Sequence, residues 1–376
     1  MPLIFSGITT KGSFDLVYTL PPPPPEFYLW TWGRNNFGQL GLGDTTNRSS
    51  PVQIDAGTTW LNISASSGQS LAVKTDGTMW SWGQNTLGQL GLGNTTYYSS
   101  PKQIGALTTW STIAAGTTHG LAIKTDGTMW SWGYNAGGRL GLGNDTDYSS
   151  PKQIGALTTW SKISTFSTHP NLAIKTDGTM WAWGNNLYGQ LGLGNTTYYS
   201  SPKQIGALTT WLNIAAGQYY SLAVKTDGTL WSWGNNEHGR LGLGNLTYRS
   251  SPVQIGALTT WLTIAGGTYH SLAVKTDGTM WSWGRNQMGQ LGLGDTTTRS
   301  SPVQIGALTT WLKISGGYNR GLAIKTDGTL WSWGNNFAGP LGLGNTTYYS
   351  SPKQVGALTT WSSVDTGSRH TLAISN

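Results

Sequence analysis

The 376-residue chain has no cysteine, which excludes a disulfide framework and any thiolate metal site. Charge is scarce too: Asp, Glu, Lys and Arg make up 10% of the residues, and the only glutamates are Glu26 and Glu237. Hydrolase or lyase chemistry needs convergent titratable groups, so this poverty of carboxylates points away from an enzyme. The five His are scattered without His-x-x-x-His spacing, and neither a metal nor another cofactor is expected. No apolar run approaches the roughly 18 residues of a membrane span. The opening residues MPLIFSGITT lack a basic region and a long apolar core, so no secretion signal is expected.

What the chain has in abundance is tryptophan and glycine, 21 and 54 residues. Trp-Gly pairs fall at Trp32, Trp82, Trp132, Trp183, Trp233, Trp283 and Trp333, which makes the chain seven copies of one unit. Four short apolar segments recur between successive pairs, such as Val253-Gln254-Ile255, then Trp261 to Ala265, Ser271 to Thr276, and Thr279 to Gly284. Alternation in Leu230-Trp231-Ser232-Trp233 is that of a β-strand. Thr-Asp-Gly, as at Thr226-Asp227-Gly228, joins two such segments as a hairpin turn.

Four strands per repeat with radial repetition predict an all-β, seven-bladed β-propeller with four-stranded blades. The segment Phe27 to Gly33 is a strand without its hairpin partner, and so is His370 to Ser375. Pairing 27–33 with 370–375 is expected to close the ring and cover two open edges. Ahead of the propeller, taken as residues 27–376, lie an N-terminal arm over 1–20 and a polyproline linker over 21–26. Pro21 to Pro25 should form a stiff spacer of about 3 Å per residue. The arm, with Phe14, Leu16 and Tyr18 alternating, is expected to hold an assembly partner.

The recurring W-x-W-G-x-N-x-x-G-x-L-G-L-G, then S-S-P and L-A-[VI]-K-T-D-G-T, resembles the regulator of chromosome condensation family of propellers. Residues 231–244, Trp231-Ser232-Trp233-Gly234 through Leu241-Gly242-Leu243-Gly244, are one copy. The resemblance covers 27–376 and implies a binding protein, since members include a nucleotide exchange factor for a nuclear GTPase and a bacterial inhibitor of β-lactamases. Exchange activity is not carried over, because the repeats are uniform in length, without an inserted wedge, and the acidic face is missing. The family's His before the third strand stands at His119, His270 and His370, whereas Gln69, Tyr220 and Arg320 replace it elsewhere.

Other motifs dissolve into the repeat. Six aspartates, from Asp76 to Asp327, are the turn residue of Thr-Asp-Gly. Gly292-Leu293-Gly294-Asp295 looks like a calcium loop, yet Asn replaces the acid in five of seven copies. No Lys-Ser/Thr follows the glycines as a phosphate loop requires. The Asn-x-Ser/Thr triplets recur only because the repeat does.

Against a nearly constant background three stretches change chemistry from copy to copy. One follows Trp-Gly, with Arg34 and Arg285. A second precedes Ser-Ser-Pro, with Arg48, Arg249 and Arg299. The third precedes the third strand, with Tyr219, Tyr220, Tyr269, Arg320 and Arg369. Arg240 lies beside them. Tyr and Arg in loops on a rigid scaffold are the composition of a recognition surface. Eight of the nine arginines fall in repeats five, six, seven and one, which ring closure makes neighbours, so a basic sector is expected there.

With a net charge of +7, the Arg/Tyr loops are expected to bind a protein or an anionic surface glycan. Nucleic acid is disfavoured, because the charge is modest and no reading motif appears. The sequence therefore suggests a non-enzymatic attachment or decoration module, a phage virion protein presenting a recognition face. The alternative is a soluble cytoplasmic regulator or inhibitor acting by protein contact, such as a guanine-nucleotide exchange factor.

Overall fold

The computed structural model describes residues 26–54, 59–167 and 169–376. The arm over 1–20, and the linker apart from Glu26, lie outside the described residues. Seven antiparallel four-stranded sheets form the blades, numbered here by their Trp-Gly pair. Blade 6 runs outward from Trp261–Gly266 through His270–Lys275 and Met280–Gly284 to Arg299–Gln304. The innermost strands of neighbouring blades contact one another all the way round, so the ring is closed.

Closure lies in blade 1, where Tyr28–Gly33 pairs with His370–Ser375 in continuous antiparallel register from Tyr28 opposite Ser375 to Gly33 opposite His370. The remaining two strands differ from the sequence expectation. Grouping the Val-Gln-Ile segment with the tryptophan strand after it would give blade 1 one strand from the N-terminal side and three from the C-terminal side. Instead each Ser-Ser-Pro-x-Gln segment is the outermost strand of the preceding blade, so Arg48–Ile54 joins Tyr28–Gly33 and each end supplies two strands.

Two physical features set this grouping. The loop after Trp-Gly is pinned back on its own blade by a buried asparagine: Asn35 Oδ1 accepts from Leu40 N at 2.9 Å, and Asn35 Nδ2 donates to the Asp44 carbonyl at 2.9 Å. Proline, which lacks an N–H, is tolerated on an edge strand, and Ser-Ser-Pro supplies that edge.

The core lies between blades. In one cluster Leu272, Val274 and Met280 of blade 6 pack on Trp311, Ala323 and Trp333 of blade 7. Both faces of a blade are covered in this way, which is why Leu230, Ser232 and Trp233 are all buried although Leu230 and Trp233 point to opposite sides. Each Trp-Gly indole also clasps the previous blade. Trp283 Nε1 donates to the Arg240 carbonyl at 2.8 Å, and the same bond recurs for all seven, ending with Trp32 on Pro340.

One face of the ring is nearly constant in sequence because it is a repeated polar and cation–π network. Lys275 lies 5.0 Å from the Trp261 ring and 3.9 Å from the Trp281 ring. Asp277 accepts from Thr279 N and Oγ1, and that hydroxyl accepts from Trp281 Nε1 at 2.9 Å. Gly278 turns the hairpin at φ 76°, and a Cβ there would collide with the Thr309 carbonyl. Every residue of Lys-Thr-Asp-Gly-Thr that carries these contacts is constrained by them.

Candidate functional site

All three variable stretches meet on the opposite face. The residue after Trp-Gly bonds the loop before the third strand, as in Arg285 N to Tyr269 O at 2.9 Å and Arg34 N to Arg369 O at 2.8 Å. The residue before Ser-Ser pairs across the same glycine, as in Gly284 opposite Arg299 and Gly33 opposite Arg48. The ring thus has a constant face of turns and a variable face of loops.

The candidate residues separate into three groups on this face. Tyr220, Arg240 and Arg320 do not present to a partner; they are 0%, 1% and 2% exposed. Tyr220 donates through its hydroxyl to the His270 carbonyl at 2.5 Å. Arg240 Nε donates to the Glu237 carbonyl at 2.9 Å, and its Nη1 reaches the Thr268 carbonyl of the next blade at 3.2 Å. Arg320 donates to the carbonyls of Gly367, Ser368 and His370 at 2.7 to 2.9 Å.

The position before the third strand is therefore a collar latch between inner loops. Gln69 performs the same task, donating to the His119 carbonyl at 2.9 Å. His370 acts through its ring, whose Nε2 lies 2.9 Å from Ser70 Oγ of blade 2. Gln, Tyr and Arg thus perform there what the His370 ring does, which explains why His is replaceable, and blade 4, with Pro170 at this position, has no such side chain. Burial lowers the Arg320 guanidinium to about 9, so it remains protonated at neutral pH. Arg320→Lys keeps the charge but not the fork, and should destabilise the ring by about 3 kcal/mol by orphaning buried carbonyls. Urea denaturation of the variant checks this, and stability equal to wild type would remove the latch.

Arg48 and Arg299 form a second group, spent on internal ion pairs. Arg48 Nη2 lies 2.6 Å from Asp44, and Arg299 Nη2 lies 2.7 Å from Asp295. These are the two copies with Asp after Gly-Leu-Gly. Where that residue is Asn and the partner Tyr, a neutral bond replaces the pair, as from Asn195 Nδ2 to Tyr199 Oη at 3.2 Å. The calcium-like Asp is accordingly an arginine partner, and among the described residues no group of three His, Asp or Glu sits together.

The third group stays available at the surface: Arg34, Arg249, Arg285, Arg369, Tyr219 and Tyr269, of which Arg369 is exposed and the others half-buried. Arg249 stands in the one copy that combines Asn with Arg, and among the described residues its side chain donates only to the Tyr248 carbonyl, at 3.4 Å. Arg285 lies 5.1 Å from the Tyr269 ring, which in turn meets His238 and Tyr318 edge to face at 5.8 and 6.0 Å. Tyr219 meets Tyr188 at 5.1 Å. Each loop leans on the next blade, so the variable face is a fixed band of aromatic rings with arginines among them. The surviving arginines fall on blades 5, 6 and 1, within the sector ring closure was expected to create.

Phe337, Tyr348, Asn36 and Asn47, which also line this face, were not singled out from the sequence. A cavity of 390 Å³ opens along the axis, lined by small residues such as Ser64, Ser164 and Ser315. Its one carboxylate, Asp365, is held above the usual range by burial and accepts from Ala65 N at 2.8 Å, tying blade 1 to blade 2.

A ring of near-identical blades with one constant and one variable face defines a repeat-propeller binding scaffold. The family model for the Regulator of chromosome condensation (RCC1) repeat matches at 28–73, 76–123, 126–169, 177–224, 227–274, 277–324 and 327–374, and the chain belongs to this family. A search of curated protein sequences finds no match.

Solved structures share the fold. Human WBSCR16 superposes with a TM-score of 0.84 at 20% identity, covering 94% of this chain and 99% of that one. Prp20p from Saccharomyces cerevisiae, described for its binding to Gsp1p and histones, gives 0.81 at 19% identity over 94% of this chain and 92% of its own. Yeast RCC1 (Prp20) bound to Kap60 gives 0.81 at 20% identity, covering 93% and 89%.

Proposed function

We propose that this protein is a non-enzymatic binding module that regulates or inhibits a protein partner by contact, with the variable loop face as its docking surface. The observation that carries this is the segregation of sequence variation: every strongly variable stretch lies on one face of a ring whose other face repeats nearly unchanged. Relatives of the same fold bind proteins, Gsp1p, histones and Kap60 in yeast. The phage virion and surface-glycan role suggested by the sequence finds no support among these relatives, whereas the regulator alternative fits them. Nucleotide exchange is not included, because no wedge interrupts the repeats. No helix among the described residues is long and apolar enough to cross a membrane.

The test is a comparative capture from lysate of the source organism. A Tyr269→Ala/Arg285→Ala protein should lose at least one protein that wild type and a control substituted on the constant face, at the exposed Leu157→Ser beside the Gly127 turn, both retain. Wild-type retention of that protein should itself weaken as ionic strength rises, as expected for arginine contacts. A retained set indifferent to the loop-face substitutions, with folding verified by circular dichroism, rejects the reading.

A further inference from the structure

One junction of the ring is left unfilled. In six copies the residue before Leu-Gly-Leu-Gly plugs the space beneath its loop. Gln39 Oε1 accepts from Phe37 N at 2.9 Å, Gln290 Oε1 accepts from Met288 N at 2.9 Å, and Arg139 Nε donates to the Ala136 carbonyl at 3.0 Å. In the seventh the residue is Pro340, which has no polar side chain. Two adjoining cavities of 530 and 280 Å³ lie at this junction of blades 7 and 1, sharing Phe337, Tyr348 and Arg369 as walls.

The walls are cationic without a matching acid. Arg34 and Arg369 are held side by side, since Arg34 N donates to Arg369 O at 2.8 Å. The Arg369 guanidinium lies 5.4 Å from the Phe337 ring. Neither arginine has a carboxylate partner among the described residues. Arg320 lines the smaller cavity, is 2% exposed, and has an Nε–H with no acceptor. The Arg320 charge behind the smaller cavity adds to the positive field of the pair, and an incoming anion would relieve the repulsion between these adjacent cations. Phe337 and Tyr348, 59% and 45% exposed, add an apolar side.

We propose that this cleft takes an acidic segment of a protein partner, one Asp or Glu carboxylate between Arg34 and Arg369 and an adjoining apolar side chain against Phe337 and Tyr348. This deepens the protein-binding reading and rests on it. A peptide is favoured over a polyanionic chain because the uncompensated arginines form no continuous track: Arg249 and Arg285 stand on blades 5 and 6, away from this pair. Guanidinium forks bind single carboxylates bidentately, which suits an isolated acidic residue.

The experiment uses fluorescein-labelled octapeptides randomised around a central Asp or Glu, a matched set with central Asn or Gln, and heparin. Wild type should select binders from the acidic set only. Their affinity should fall at least tenfold in Arg369→Gln and in Pro340→Gln, which restores the plug of the other copies, and stay unchanged in Lys102→Gln. Equal selection from the amide set, full affinity in Pro340→Gln, or binding of heparin alone overturns the proposal. A captured partner that depends on Tyr269 and Arg285 but ignores Pro340→Gln retires the cleft and leaves the docking face standing.

Discussion

Trp333→Ala should lower the stability of the ring by about 4 to 8 kcal/mol, the largest loss expected from any single substitution. The indole is completely buried in the core between blades 6 and 7, and emptying such a site costs about 3 to 5 kcal/mol. Its Nε1 donates to the Gln290 carbonyl at 2.9 Å. In most blades a second donor shares this carbonyl, as Ser271 Oγ shares that of Arg240 with Trp283. Blade 7 has Gly321 at the matching position, so removing the indole orphans the acceptor at a further cost of about 1 to 3 kcal/mol. The contrast can be isolated with phenylalanine. Trp333→Phe keeps a ring and loses the N–H, and should cost about 1 kcal/mol more than Trp283→Phe. Equal denaturation midpoints for the two would show that the clasp does not depend on that carbonyl.

Acidification should destabilise the ring well above the range where carboxylates titrate. Burial lowers His270 to about 4 and His370 to about 3, from 6.5. From pH 6.5 down to about 4 the unfolded chain therefore takes up protons at these positions while the folded chain does not. Each histidine removes about 1.4 kcal/mol of stability per pH unit across that window, so the pair costs about 4 kcal/mol between pH 7 and pH 5. The turn aspartates, held below their usual range by hydrogen bonds from Thr78 and its counterparts, lose their contribution only below about pH 4. Asp365, raised by burial, acts in the opposite direction and weakens the net slope. Replacing both histidines by Gln, the residue that serves as the latch at position 69, should flatten the dependence between pH 5 and 7. Urea midpoints across that range measure it, and an unchanged slope in the double variant would rule out the histidines as its source.

The scaffold was legible because it is written seven times. Period, strand count and closing pair follow from the spacing of Trp-Gly and the two orphan strands, with no need of tertiary contacts. The grouping of strands was less so, because Ser-Ser-Pro has little strand character and its place on an outer edge depends on the buried Asn35 and its counterparts pinning a loop. The variable face was legible in outline, since seven copies supply their own comparison. Its content was not: variation at Tyr220 and Arg320 looks like recognition, yet those side chains vary because several polar groups can perform the same latch, and Arg240 is buried in the place that Gln fills beneath the loop of other blades.

By itself the sequence determined that seven blades form a ring and that three stretches differ among them, because hydrophobic period and repetition are local properties of the chain. Only the tertiary structure decided which arginines remain free to meet a partner. A guanidinium is committed or available according to the acceptors that folding brings beside it: the Asp44 and Asp295 carboxylates for Arg48 and Arg299, the carbonyls of the next blade for Arg240 and Arg320, and none of these for Arg34 and Arg369 above Pro340.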